Sequence, residues 1–192
     1  MIGNQKSASL KDELILAGIQ EINTFGVAAF SIRRVASACN VSCAAPYRHF
    51  KDKNGLIAAI IDYVNDKWAI QQEEILKKCG NSLREQIVEI SLGYIRFLME
   101  KPYYRAVLML KDEQFDNLYH KKRTQFGSLC QTIEHQLFEA SGYTMEVWKR
   151  KVLMFRSTIF GVLFLMDAGE FEYNETTMES VRYILDREFE VL

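Results

Sequence analysis

Breakers of regular structure are scarce in this sequence. Only two prolines, Pro46 and Pro102, occur among 192 residues. Proline interrupts a helix because it lacks an amide proton and its ring clashes with the preceding turn. So few breakers, together with 48% hydrophobic residues, favour long helices around a packed core over a fold of strands and turns.

Long hydrophobic runs are missing as well. The first ten residues contain no apolar run of the kind found in secretory signals. We therefore expect a cytoplasmic protein whose thiols stay reduced. The most apolar stretch, residues 152–166, contains Arg156 and is too short to span a bilayer. It predicts a buried helix and no membrane partner.

Patterns for metal binding and catalysis are also lacking. The three histidines, His49, His120 and His135, have no Cys-x-x-Cys pair beside them, so we expect no metal site. The chain has no glycine-rich phosphate loop, nucleophile elbow or histidine–carboxylate motif, so we expect neither an enzyme nor a cofactor. Cys39 and Cys43 leave a redox switch open, although two reduced thiols in a small core are the favoured interpretation.

The charge that is present is distributed unevenly. Residues 1–55 hold seven basic and four acidic side chains, a net charge of +3, whereas the remainder holds 17 basic and 21 acidic ones. A basic head on an acidic body suits a polyanionic partner for the head alone. The excess is small, and chance is the other interpretation.

Hydrophobic spacing and end signals predict the first helix. Residues 10–25 have helical periodicity, with Ser9 as a candidate N-cap and Gly26 as a residue that can end the helix in a left-handed conformation. The two acidic residues that follow Ser9 would lie in the first turn, where the helix dipole favours them.

Two short helices joined by a tight turn follow. Ser31 is predicted to cap a helix over residues 32–39, and Asn40 to adopt the left-handed backbone that the turn requires. Ser42 is predicted to cap a third helix that runs to about Phe50, with Pro46 tolerated in its first turn. Three short helices arranged in this way match a helix-turn-helix.

Longer helices are predicted in the rest of the chain. They are bounded by serine, threonine or asparagine caps and by glycine or proline stops. Their expected ranges are residues 53–78, 82–100, 103–110, 115–141, 144–168 and 174–192. The sequence therefore predicts an all-α fold of about nine helices.

The segment from residue 30 to residue 56 resembles the DNA-binding domain of the TetR/AcrR family. Its specific part is the pattern VSxAAPYRHFxxKxxL at residues 41–56, preceded by Phe25-Gly26 five residues before the second helix. The match covers roughly residues 9–60. The resemblance implies a helix-turn-helix domain at residues 1–55 and a helical ligand-binding and dimerisation domain at residues 56–192.

The same resemblance implies a function. Members of the family are ligand-responsive transcriptional regulators, so we expect a homodimer that binds a palindromic double-stranded DNA operator. A repressor released by an unknown small hydrophobic or aromatic effector is expected, and activation stays open. The alternative is a helical small-molecule carrier or interaction module that does not bind DNA.

Candidate DNA contacts combine small residues with cationic and hydroxyl-bearing ones. A recognition helix needs small residues at its leading end to approach the base edges of the major groove. An arginine can bind guanine or phosphate, and the other polar groups can bind phosphate. The candidates are Arg33, Ser42, Cys43, Ala44, Ala45, Tyr47, Arg48, His49 and Lys53. Phe50, Val35 and Ile22 are assigned to the small core.

The last two helices supply the predicted dimer interface, by the layout of the family. The helix over residues 144–168 is apolar all round and must be covered on every side. Gly161 would permit close helix approach. The candidates are Phe155, Ile159, Val162, Leu163, Met166, Val181, Ile184 and Leu185. A helix buried wholly within its own chain is the other interpretation.

Aromatic and methionine residues of the body supply the candidate effector pocket. Such linings suit hydrophobic or planar ligands. The candidates are Tyr94, Phe97, Leu98, Tyr103, Tyr104, Met109, Phe126 and Met154. Most of these side chains are equally compatible with an ordinary core.

Overall fold

The computed structural model describes residues 9–108 and 127–189. Within these ranges the chain forms nine α-helices and no strand, which confirms the predicted all-α fold. The described residues pack into two compact units, one of residues 9–66 and 102–108 and the other of residues 67–101 and 127–189. This division follows packing and not role, so a functional boundary near residue 55 stays a prediction.

The first unit contains the three N-terminal helices, the beginning of the fourth and the sixth. Their bounds are α1 Leu10–Phe25, α2 Ile32–Ala38, α3 Ala45–His49, α4 Lys53–Lys78 and α6 Pro102–Leu108. The helix α4 contributes residues to both units.

The second unit contains the longer helices of the body. Their bounds are α5 Leu83–Glu100, α7 Gly127–Ser141, α8 Met145–Asp167 and α9 Glu175–Glu188. The predicted helix over residues 115–141 begins outside the described residues. None of the helices in the described ranges has a stretch that is long and apolar enough to cross a membrane.

Side-chain caps begin the helices much as predicted. The Asp12 amide donates to Ser9 Oγ at 3.2 Å, and the Ser9 amide donates to Asp12 Oδ2 at 3.3 Å, which completes a capping box. The Val147 amide donates to Thr144 Oγ1 at 3.4 Å. Such caps satisfy amides that have no partner inside the helix.

Left-handed backbone occurs at predicted breaks. Asn40 has φ 54° in the turn after α2, and Gly26 has φ 72° at the end of α1. Gly142 and Gly169 likewise have positive φ angles, of 68° and 75°, after α7 and α8. These conformations confirm the predicted ends, because glycine and asparagine tolerate them at little cost.

The helix α3 differs from its prediction in where it begins. It begins at Ala45 and not at Ser42 or Cys43, and its N-cap residue, Ala44, makes no side-chain capping bond. The predicted cap at Ser42 is therefore wrong. Cys43 and Ala44 form a turn instead, and Pro46 falls within the first two helical positions, where its missing amide needs no partner.

The three N-terminal helices share a small core that is buried from solvent. Ile22, Val35 and Phe50 are all buried, as predicted, and lie on or next to the three N-terminal helices. Gly18 of α1 lies against the Ile60 side chain of α4. This packing holds α1, α2 and α3 as one body that presents α3 at its surface.

Candidate DNA-binding site and helical body

The helix α3 and the turn before it expose most of the predicted DNA contacts. Tyr47 is 56% exposed, and Arg48 and His49 are exposed beside it. In the preceding turn Ser42, Cys43 and Ala44 are exposed as well. The structure thus brings three small residues and three larger polar or aromatic ones onto one short segment. Because the small residues precede the helix, its leading end is unobstructed by long side chains.

Ala45 and Lys53 lie in different surroundings from these six residues. Ala45 is only 8% exposed, because it faces the small core together with Pro46. Lys53 is half-buried at the start of α4, and its Nζ donates to the Val27 carbonyl at 3.4 Å. Its ammonium group also lies 5.9 Å from the ring centroid of Phe30. A role for either residue in DNA contact stays a prediction.

The two adjacent arginines of α2 have different surroundings. Arg33 is exposed, whereas Arg34 forms an ion pair with Glu21 of α1 and also donates to the Ala29 carbonyl. The guanidinium carbon of Arg34 lies 4.3 Å from the ring centroid of Phe25. Arg34 is therefore bound to its own chain although its side chain is 46% exposed, and a DNA contact of Arg33 stays a prediction.

Glu21 is a residue that the sequence pattern did not single out. Its side chain is buried, the residue being 7% exposed, and Oε1 accepts hydrogen bonds from Arg34 Nε at 2.8 Å and the Ser31 amide at 3.1 Å. A glutamate on an otherwise apolar helix face was the available signal. The carboxylate fixes the N-cap residue of α2 to α1.

The cysteines near the turn are free thiols. Cys43 is exposed, and Cys39 is partly buried. Burial, with the nearby Glu13 carboxylate, raises the pKa of the Cys39 thiol, which keeps it in its less reactive protonated form. No group of three metal-ligating side chains occurs among the residues the structure describes.

The predicted pocket residues are divided between the two units. Tyr94, Phe97 and Leu98 are buried on α5 in the second unit. Tyr103 and Tyr104 lie on α6 in the first unit, with their ring centroids 4.6 Å apart. Met154 is exposed on α8. Met109 and Phe126 lie outside the described residues.

Trp68 joins the pocket candidates of α5, and the sequence reasoning missed it. Its ring centroid lies 5.1 Å from that of Tyr94 and 5.4 Å from that of Phe97. Trp68 is 2% exposed. A tryptophan within an otherwise polar run of α4 was a signal that could have identified it. The three rings form an aromatic cluster between α4 and α5.

The predicted dimer residues lie mostly inside the second unit. Six of the eight are buried in the chain's own core, Val162 is half-buried and Ile184 is exposed. The buried six are Phe155, Ile159, Leu163, Met166, Val181 and Leu185. A surface formed by these two helices must therefore be made mainly by side chains outside the predicted set, together with the exposed Ile184.

The outer side of α8 nevertheless carries exposed apolar side chains between residues 153 and 164. They are large, and Phe164 is 69% exposed. A Cβ atom added to Gly161 would meet no atom within 4 Å. We call this set, with Ile184 of α9, the outer apolar surface: Leu153, Met154, Phe160, Phe164 and Ile184.

Ion pairs fasten α9 to α5. Arg84 donates to Asp186 through Nε at 2.8 Å and through Nη2 at 2.6 Å. Arg182 pairs with Glu89. These charged side chains line a groove of about 530 Å³ between the two helices. Because these charged side chains pair with one another, we interpret the groove as a polar contact between α5 and α9 that orients α9.

Comparison with known proteins agrees with this geometry. Residues 14–60 match the family profile of bacterial regulatory proteins of the tetR family. No curated protein sequence matches the chain significantly. The profile match spans α1, α2, α3 and the start of α4, which is the region that exposes the small and cationic residues.

Similar solved structures extend over nearly the whole chain. One is a TetR family transcription regulator from Marinobacter aquaeolei VT8, 19% identical, with a TM-score of 0.72 over 93% of this chain and 94% of that chain. Another is the fatty acid degradation regulator FadR from Bacillus halodurans, 16% identical, with a TM-score of 0.72 over 94% and 96%. A third is a TetR variant from Acinetobacter baumannii AYE in complex with minocycline, 16% identical, with a TM-score of 0.57 over 93% of each chain.

At such identities the structural likeness shows the fold, whereas the profile match identifies the N-terminal domain. Together with the exposed face of α3, these findings identify the helix-turn-helix as a DNA-binding element. Residues 14–60 carry the N-terminal domain of bacterial regulatory proteins of the tetR family, and the fold of the chain is similar to that of transcription regulators of this family.

Proposed function

We propose that this regulator represses transcription in the cytoplasm by occupying a palindromic operator as a homodimer, and that a small hydrophobic effector releases it. The observation that carries the proposal is the exposed face formed by α3 and the turn before it. There the small residues Cys43 and Ala44 precede the exposed Arg48. Small leading residues and a following cation suit entry into a major groove.

Specific contacts would come from the same face. Arg48 can donate two hydrogen bonds to the O6 and N7 atoms of guanine, and the Ala44 methyl group can contact the methyl group of thymine. Tyr47 and His49 flank Arg48 and can donate to phosphates. The exposed Arg33 adds a cation one helix earlier. Lys53 places another cation at the start of α4.

The outer apolar surface supports the homodimer. Several large hydrophobic side chains exposed side by side on one helix are unusual for a monomer and mark an association site. A twofold symmetric dimer covers such a surface with its own copy, which also places two recognition helices in symmetric positions. The distance between them must then match one helical turn of DNA, about 34–36 Å, or a multiple of it.

The aromatic cluster of Trp68, Tyr94 and Phe97 supports an effector site in the body. Aromatic walls with a few polar atoms suit a small hydrophobic molecule. The related fold from Acinetobacter baumannii holds minocycline, so this architecture can accept a small ligand. An effector that binds one conformation of the body better than another would shift the population away from the state that fits DNA.

Selection of bound duplex fragments from the source genome tests this function. The purified chain should enrich fragments that share an inverted repeat, and the selected duplex should bind two chains. A helical carrier without DNA binding would enrich no sequence, and that outcome would refute the proposal. Activation of the adjacent gene in a reporter assay would refute the repressor assignment while leaving DNA binding intact.

A further inference from the structure

The indole N–H group of Trp68 is a buried donor for which the described residues supply no acceptor. Nε1 is shielded from solvent, and residues 9–108 and 127–189 offer it no hydrogen-bond partner. Buried polar groups nearly always have a partner, because a donor removed from water loses a hydrogen bond that nothing replaces. Such a donor needs an explanation, and an acceptor that arrives with a ligand is one that experiment can test.

Aromatic rings surround this donor on the side of α5. The Tyr94 ring meets the Trp68 ring edge to face, at an interplanar angle of 62°, and Phe97 lies against the same indole. Gln72 and Ser91 are buried on the same two helices. Burial raises the pKa of the Tyr94 phenol, so this side chain stays neutral. Apolar walls with a few neutral polar groups favour uncharged, planar or apolar molecules.

The helices α4 and α5 approach each other closely beside this cluster. Gly93 makes the approach possible, because a Cβ atom there would overlap the Cδ1 atom of Ile75 and lie 3.7 Å from Cη2 of Trp68. A ligand atom can therefore reach Nε1 only when an aromatic side chain turns or the two helices separate. Binding would exchange ring contacts within the chain for ring contacts with the ligand.

We propose that Trp68 Nε1 donates a hydrogen bond to an acceptor oxygen of the effector, which is therefore an uncharged apolar or aromatic molecule that carries a carbonyl or an equivalent acceptor. The inference rests on the proposed function, since it names the ligand class of the effector site. A site with this donor should bind such molecules more tightly than pure hydrocarbons of the same shape, because a hydrocarbon leaves the indole N–H group without a hydrogen bond.

Nuclear magnetic resonance of the indole groups in the full chain tests the proposal. The sequence contains two tryptophans, so labelling their indole nitrogens gives two signals, and Trp148→Phe assigns them. The probes are 2-acetylnaphthalene and its isostere 2-isopropenylnaphthalene, which replaces the carbonyl oxygen by a methylene group. The acetyl compound should move the Trp68 N–H proton downfield and slow its exchange with solvent. The hydrocarbon should cause no such downfield shift.

Affinities of the two probes provide the second readout. The wild-type chain should prefer the acetyl compound by about fivefold, the worth of one ordinary hydrogen bond. Trp68→Phe should bind both probes equally, because it keeps an aromatic ring and removes the donor. A preference that survives in Trp68→Phe would overturn the proposal. So would the absence of any Trp68 response to the acetyl compound.

A trapped water molecule is the competing explanation for the donor. In that case the Trp68 proton would already be downfield in the free protein and would cross-relax with a long-lived water, and the proposal would be overturned. Operator binding by the same samples tests the proposed regulator function separately from the proposed ligand class. A chain that binds DNA but lacks the indole response refutes only the ligand class, whereas a chain that binds no DNA refutes the regulator.

Discussion

The guanidinium group of Arg34 is bound to the buried carboxylate of Glu21, with its Nε atom 2.8 Å from Oε1. The same oxygen accepts a hydrogen bond from the Ser31 amide at 3.1 Å. One carboxylate on α1 therefore holds both the first residue before α2 and an arginine within α2. This arrangement ties the start of α2 to α1.

Replacement of Arg34 should destabilise the fold. Arg34→Ala leaves the Glu21 carboxylate without its cation, and we expect a loss of about 2 kcal/mol in the free energy of unfolding, allowing for partial access of water. Arg33→Ala is the matched control and should change stability by less than about 0.5 kcal/mol. Urea denaturation measures both. Equal effects would show that the Arg34–Glu21 pair does not secure α2.

The same two variants should change the salt dependence of DNA binding in the opposite order, with the larger change in Arg33→Ala. Arg33 is exposed, so Arg33→Ala should lower the slope of log affinity against log salt concentration by about one. Arg34→Ala removes no phosphate contact, so it should weaken binding without changing that slope. Fluorescence anisotropy at several salt concentrations, below the unfolding temperature of each variant, measures this. A slope lowered by Arg34→Ala alone would reverse the assignment.

The outer apolar surface should control association. Phe164→Glu puts a charge at its most exposed member and should convert a dimer into a monomer at micromolar concentration, as judged by sedimentation. Ile70→Glu, at an exposed position of α4, is the control and should leave the dimer intact. A wild-type monomer would contradict the homodimer, and a Phe164→Glu dimer would contradict its assignment to the outer apolar surface.

The turn of the helix-turn-helix should depend on its left-handed residue. Asn40 has φ 54°, so Asn40→Ala should cost about 1 kcal/mol of stability, because alanine lacks the short polar side chain that lets asparagine tolerate this conformation. Asn40→Gly should be neutral within about 0.5 kcal/mol. Thermal unfolding of the two variants measures the difference. If alanine and glycine are tolerated equally, the turn is not held in this backbone conformation.

Local chemistry predicted the helix ends well. The caps at Ser9, Ser31 and Thr144 and the breaks at Asn40 and Gly26 each depend on a side chain or backbone preference within a few residues. The beginning of α3 was missed because the cap expected at Ser42 gave way to a turn. The helix begins instead at Ala45, without a side-chain cap and with Pro46 in its first turn.

Choices between neighbouring side chains could not be predicted in the same way. Nothing local distinguishes Arg33 from Arg34, since only the distant Glu21 decides which arginine is bound. Residues 159–166 of α8 are all apolar, so their sequence has no period that separates Leu163, which is buried, from Phe164, which is exposed. Packing against other helices decides which face of α8 is buried, and the spacing of residues within α8 does not predict that face.

Duplex affinity of the wild-type chain and of Arg48→Ala across a range of salt concentrations tests the central claim most directly. We expect the wild-type chain to bind its selected operator and Arg48→Ala to bind it more weakly. If Arg48 contacts phosphate, the slope of log affinity against log salt concentration should fall by about one. If Arg48 contacts guanine, the variant should instead show a relaxed base preference. Lys149→Ala, at an exposed position of α8, should change neither quantity. Unchanged affinity, slope and base preference in Arg48→Ala would contradict the claim that α3 reads DNA.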